Sequence, residues 1–291
     1  MDERYEDVTV VIPAYNAART LPVAVRSTEC LPGCRVVVID DGSTDATAQS
    51  IAHMSSVQLV SQDNRGASAA RRRGLEIVRT EFVVYLDSDD EVTGGMRAAI
   101  HVLRQDSGAA VVGGRAVHLG ADDAVLAPLS RGARARRLSF TDLVTHFYSP
   151  FPPAAAAWRT SALREAERSA PDWLRPAYAE DFELLIRTSM QGDVQQIDEE
   201  TCRYRTVGGR SHANALAEVR DSERVRAHYA AFAGVPAQRL SERQMRDQAA
   251  WREFFATRTV VNPLRLFRYA VRERSHVAGG VRALLGRVVP W

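Results

Sequence analysis

Between Val8 and about Gly114, short β-branched runs alternate with longer stretches of helical periodicity, the pattern of a sheet wrapped by helices. The predicted strands are Val8–Ile12, Arg35–Ile39, Val57–Ser61, Phe82–Leu86 and Ala109–Gly113, with helices near Ala18–Thr28, Asp45–Met54, Ala67–Arg79 and Gly95–Asp106. The first four strands are almost wholly apolar, as expected where both faces of a parallel sheet are covered. Right-handed crossovers then bring the loops Pro13–Asn16, Asp40–Asp45 and Asp87–Asp90 to one edge, at the carboxyl ends of the strands, where open α/β sheets bind ligands. Beyond Gly114 the pattern reads as hairpin-like strands, a basic loop from Arg131 to Arg137, the turn Ser149-Pro-Phe-Pro-Pro153 and a helix starting near Glu180. After Ala213 it becomes mainly helical, over Glu218–Phe232, Ser241–Thr257 and two short arginine-rich segments ending at Trp291. The expected organisation is a catalytic domain over 1–212, with halves 1–114 and 115–212, a hinge at Gly208–Ser211, and a helical region over 213–291.

Composition narrows this picture. At 291 residues and 45% hydrophobic the chain can bury a large core, and a net charge of +2 supplies no global field favouring nucleic acid. Every basic residue is arginine, which reads as a lineage bias. Cys30, Cys34 and Cys202 form no even disulfide framework and lack a second pair for zinc, so they read as free thiols. The acidic start, Met-Asp-Glu-Arg-Tyr-Glu-Asp, is unlike a signal peptide, and no apolar run reaches the roughly 20 residues needed to cross a bilayer. The expected location is the cytoplasm, either soluble or peripheral on the inner face of the membrane.

The three loops at the sheet edge carry the candidate chemistry. Carboxylates at Asp87 and Asp89, just after a buried strand, repel one another unless a cation or hydroxyl groups offset the repulsion, which suggests an oxygen-ligated Mn2+ or Mg2+. A metal held by one or two carboxylates completes its shell with water and substrate phosphate oxygens. Taken alone, Asp-x-Asp is a common pattern, and Asp45 reads as a helix cap within a turn.

Order adds what spacing lacks. Val10-Val-Ile-Pro-Ala-Tyr-Asn16, Asp40-Asp-Gly-Ser-Thr-Asp45, Asn64-Arg-Gly-Ala-Ser-Ala-Ala-Arg71, Tyr85-Leu-Asp-Ser-Asp-Asp90 and Ala179-Glu-Asp-Phe-Glu-Leu-Leu-Ile-Arg187 follow one another as in family 2 glycosyltransferases, which the chain resembles over about residues 7–207. The resemblance implies an α/β GT-A fold, Rossmann-like with a mostly parallel central sheet flanked by helices, here with a helical C-terminal extension. It further implies a nucleoside-diphosphate-sugar donor, with UDP-sugar favoured, a divalent metal and inversion at the anomeric carbon. Carried over by position, it makes Pro13, Ala14, Tyr15, Asn16, Asp41, Arg71, Asp87 and Ser88 donor-binding residues. Tyr15 would stack on the base, Asp41 would accept a base N–H, and Arg71 would contact base or phosphate. Arg72 stands where many relatives carry asparagine. Asp87 is placed toward ribose and metal, Asp89 on the metal itself, and His212 as a looser match to a further metal or diphosphate contact beside Arg210.

An inverting displacement needs a base, and Asp181 is the candidate, with Glu180 as its understudy. At a helix N-terminus Asp181 is expected to have a lowered pKa and stay ionised. The acceptor, an unidentified hydroxyl in a glycan, glycolipid or natural product, is placed near Pro150–Trp158 and the residues before Asp181, with Trp158 and Trp173 read as core. In the tail, Leu264, Phe267 and Val271 share one helical face and Arg265, Arg268 and Arg272 a neighbouring one. Packing on the catalytic domain, pairing between two copies, or contact of 263–291 with anionic lipid all fit that pattern. Two other functions stay open: a nucleotide-sugar-forming nucleotidyltransferase, expected to carry a glycine- and arginine-rich first loop with a lysine, and a non-catalytic nucleotide- or carbohydrate-binding module. In the latter, Asp181 would lie far from the acidic pair.

Overall fold

The computed structural model describes residues 3–119, 136–145, 150–169, 174, 176–205, 214–257 and 262–272. Four strands build its first half: β1 (Val8–Ala14), β2 (Arg35–Asp40), β3 (Val57–Ser61) and β4 (Phe82–Tyr85), all parallel in the spatial order β3-β2-β1-β4. Successive side chains of a strand point to opposite faces. Accordingly Val11 and Val83 enter one apolar core while Val10, Ile12 and Val84 enter the other. On the first face lie α3 (Ala67–Ile77), α6 (Thr160–Arg168) and α7 (Glu180–Ser189), and on the second α1 (Leu21–Ser27) and α4 (Met96–Gln105). The remaining crossover helix, α2 (Thr47–Ser50), is shorter than the expected Asp45–Met54 and continues as turns.

Past β4 the sheet becomes mixed. A short β5 (Glu91–Val92) pairs antiparallel with β9 (Asp193–Arg205), as does β7 (Arg136–Leu138). The expected fifth strand is β6 (Ala109–Leu119), but β8 (Ala156–Arg159) lies antiparallel between it and β4. In place of the expected hairpins after Gly114, β6 runs on to Leu119 in parallel with β9, with register shifts around Gly113–Ala116. Ala154 to Ala157 and Trp158 are buried and fill the core, as expected for Trp158. Cys30, Cys34 and Cys202 are free thiols.

Close approach of α3 to β1 sets the position of Arg71. A Cβ at Gly74 would stand 2.3 Å from Cγ1 of Val11. Gly74→Ala is expected to overpack this contact and cost about 1–3 kcal/mol, readable as a lowered urea midpoint with an unchanged slope.

The helical region joins the same core. Val225, Tyr229 and Ala230 of α8 (Ala215–Phe232) belong to the cluster that contains α6 and α7, and α5 (Phe140–Thr145) packs between. Two polar ties add direction: the Tyr229 hydroxyl donates to Glu183 on α7 at 2.9 Å, and Asp221 accepts from the backbone N–H of Ala177 and Tyr178, just ahead of α7. Arg226, buried, is held by both oxygens of Glu223 and donates to the Val144 carbonyl. Farther out, α9 (Glu242–Thr257) and α10 (Pro263–Arg272) pack together through Phe254 and Leu266, the stacked rings of Trp251 and Tyr269, and an Arg268–Asp247 ion pair. Leu264, of the expected apolar face, is 63% exposed, while Leu266 is buried against α9. Among the described residues no helix is long and apolar enough to cross a membrane. The expected hinge Gly208–Ser211, residues 131–135 of the expected basic loop, and the segment beyond Arg272 lie outside the described residues.

Candidate active site

Parallel strands that end together place their loops together. The Asp41 N–H donates to the Ala14 carbonyl at 2.8 Å and the Leu86 N–H to Val11 at 3.0 Å, so the loops after β1, β2 and β4 meet at one edge. Side chains lace them. Asn16, left-handed at φ 49, accepts from the Thr44 N–H at 2.8 Å, a conformation asparagine tolerates better than most residues. Asp45, one residue ahead of the Ala46 N-cap position, accepts from the N–H of Thr47 at 2.9 Å and of Ala18 at 3.2 Å, tying the first loop to the second. Pro13 and Ala14 are buried in β1 and present only backbone to this edge. Tyr15, the next residue, is 47% exposed.

Asp41 is buried, and its carboxylate already accepts three hydrogen bonds: from Gln62 Nε2 at 2.8 Å, Arg65 N at 2.9 Å and Gly66 N at 2.7 Å. It therefore holds the loop into α3, and a base N–H would be its fourth donor, at the limit of a carboxylate's capacity. Gly42 makes this approach feasible. It sits at φ 73, and a Cβ there would be 2.9 Å from the Asn64 backbone nitrogen.

Across the cleft, Arg71 joins the two halves of the site. Its guanidinium donates to Asp87 at 2.7 Å through one terminal nitrogen and to Asp181 at 2.6 Å through the other. Arg71 is only 7% exposed, so its charge depends on these two carboxylates. Asp181 stands at the first turn of α7, as expected, and its side chain keeps 45% of its surface open. Its pKa, however, is raised and not lowered. Desolvation in the cleft is the largest cause, Asp87 adds to it, and Arg71 opposes both. The helix N-terminus alone did not forecast this, because the other wall of the cleft comes from α3 and the Asp87 loop. Glu180 is half-buried beside it and feels the same arginine.

The acidic loop is crowded. Asp89 has a raised pKa through desolvation and repulsion from Asp87, and Asp90 is pushed well up by burial and by both neighbours. Asp90 Oδ1 accepts from the Arg205 N–H at the end of β9, while its Oδ2 is buried without a partner, and Ser88 is half-buried between the acids. Among the described residues no group of three histidine, cysteine or acidic side chains forms a ready metal cage. Asp87 and Asp89 thus fit a cation only as a two-carboxylate seat whose remaining ligands come from substrate and water. Arg71 occupies Asp87 Oδ1, which leaves Asp89 the freer donor. His212 and Arg210 lie outside the described residues, as does Trp173.

Beside Asp181 opens a pocket of about 470 Å³ between α3 and α6–α7. Reading the sequence missed the Gln62 and Arg205 contacts and the ties from Asp221 and Tyr229. Only the Asp89–Asp90 doublet carried a local hint, since adjacent acids after an apolar strand require a donor nearby.

Residues 9–156, just over half the chain, match the family model described as glycosyl transferase family 2. The chain is 35% identical over 91 residues, 29% of its length and 26% of the other's, to the uncharacterized glycosyltransferase YibD of Escherichia coli K12. Such alignments span about a quarter of the length of the curated relatives first matched. Among solved structures, the mannosyltransferase PcManGT from Pyrobaculum calidifontis, in complex with GDP-Man and Mn2+, superposes with a TM-score of 0.59 at 18% identity, covering 98% of this chain and 81% of that one. S. aureus TarS 1–349, in complex with UDP-GlcNAc, gives 0.56 at 15% identity, covering 97% and 91%. The mixed sheet, the flanking helices and the match over most of the strands agree: the chain has a GT-A fold and belongs to glycosyl transferase family 2.

Proposed function

We propose that the chain moves one sugar from a nucleoside-diphosphate donor, UDP-sugar favoured, to an acceptor hydroxyl in glycan, glycolipid or natural-product synthesis, with inversion in a single displacement. The observation that carries this reading is Arg71, which brings Asp181 to the acidic pair. A non-catalytic binding module has no use for that juxtaposition, and a nucleotidyltransferase would want the lysine this chain lacks. The exposed Tyr15 ring supports stacking on a base, and the donors bound in the two solved neighbours support a nucleotide sugar.

In the displacement, the acceptor oxygen bonds to the anomeric carbon as Asp181 takes its proton, and the bond from that carbon to the diphosphate oxygen breaks, its electron pair leaving with the nucleoside diphosphate. A carboxyl raised by desolvation is, once ionised, a stronger base than an ordinary aspartate. Asp89, with Asp87, would hold Mg2+ or Mn2+, which when bound neutralises charge on the departing diphosphate. Arg71 holds Asp181 and Asp87 in one orientation before substrates arrive. For the C-terminal helices, the Arg268–Asp247 pair supports docking of α10 on α9 in preference to a lipid surface or a second copy.

The test is a panel of UDP-, GDP-, ADP- and dTDP-sugars, followed by released nucleoside diphosphate and by proton NMR of the freed sugar's first-formed anomer. Metal-dependent release from one donor class with inverted configuration is expected. Retention of configuration, or release that persists in chelator, contradicts the mechanism.

A further inference from the structure

The pocket next to Asp181 is walled by charge. Of its four acids, Asp181 is matched by Arg71, and Glu167 and Glu183 by Arg187 at 3.7 and 3.3 Å, while Glu180 stands half-buried beside Asp181 and feels Arg71. Arg168, at the rim, pairs with Glu165. Two guanidinium groups are left over. Arg65, just ahead of α3, and Arg72, further along it, make no side-chain hydrogen bond or ion pair among the described residues, and both are exposed. Between them on the same wall stand Ser68 and Ala69, small side chains that leave space between the two charges. A second hollow of about 750 Å³ on the other side of this ridge is also bordered by Arg65 and Arg72, but no candidate catalytic residue faces it.

Building on the proposed function, we infer that the 470 Å³ pocket is the acceptor chamber and that Arg65 and Arg72 select an acceptor carrying a phosphate close to the hydroxyl that Asp181 deprotonates. The wall is too polar for an apolar aglycone, since desolvating its paired charges would go uncompensated. Two free guanidinium groups flanking small residues are instead a seat for phosphate, which arginine binds by paired N–H donors. Asp181 belongs to the same wall, so an anion seated there lies beside the base.

Calorimetric titration tests this with glycerol 3-phosphate against glycerol, on full-length enzyme with UDP and Mn2+ kept saturating so that the donor site is filled. Glycerol 3-phosphate is expected to bind and glycerol not. Arg65→Gln and Arg72→Gln are each expected to weaken the phosphate about tenfold, and the double variant more. Absence of phosphate binding, or binding that survives both substitutions, overturns the inference. UDP titrated separately reads the donor site: if it does not bind, the proposed function fails, and arginine-dependent phosphate binding is still scored in its own cell.

Discussion

Asp181→Asn is expected to lower kcat by about a hundred- to ten-thousandfold, the range a positioned general base supplies, while the donor KM changes little. Asparagine keeps the shape and can still accept the hydrogen bond from Arg71, so the fold and the cleft persist while the proton acceptor is lost. The pH profile separates this from a structural defect. A base acts only when ionised, so activity falls as pH drops through its pKa. Desolvation raises the Asp181 carboxyl, placing that acid limb at higher pH than for an ordinary aspartate. In the asparagine variant this limb should vanish from the residual rate. A larger loss for Glu180→Gln than for Asp181→Asn would move the base to Glu180.

Asp89→Ala is expected to reduce kcat/KM by at least about a hundredfold, comparable to losing one preorganised electrostatic contact to developing charge, and to abolish the response to Mn2+. Its stability signature differs from that of its neighbour. Asp89 is destabilised by burial and by Asp87, so without ligands the alanine variant should melt no lower than the wild type. Asp87→Ala, by contrast, strips the buried Arg71 of one of its two partners and should melt lower, because an uncompensated buried charge is costly. Differential scanning calorimetry on both variants, beside donor kinetics, reads the two effects separately.

Much of the first half was legible because its strands are β-branched runs bounded by turn residues: the observed β1 to β4 start at the expected residues and end within two of them. The second half was not, for reasons of chemistry. β8 is built on alanines and Trp158, which carry no strand signature, and its antiparallel place between β4 and β6 is a long-range pairing. β9 alternates weakly, with Val194 and Gln196 inward among acids and glutamines. At the site, the three loops could be assigned to one edge from topology, and Tyr15 to its exposed position. The partnership of Arg71 with Asp181 could not, since no local pattern joins residues on α3 and α7. The raised pKa of Asp181 follows from desolvation in the cleft and from Asp87, against the pull of Arg71, and neither is visible in the residues around position 181.

Donor binding through Asp89 and a divalent cation is tested most directly by thermal shift with UDP and GDP, each with and without Mn2+, on wild type and Asp89→Ala. A nucleotide at about a hundred times its Kd stabilises by about 2.7 kcal/mol, which for a chain of this size raises Tm by about 5 °C. That shift is expected for wild type only when nucleotide and Mn2+ are present together, and it should disappear in Asp89→Ala. A shift of the same size without metal, or one that survives in Asp89→Ala, would contradict it.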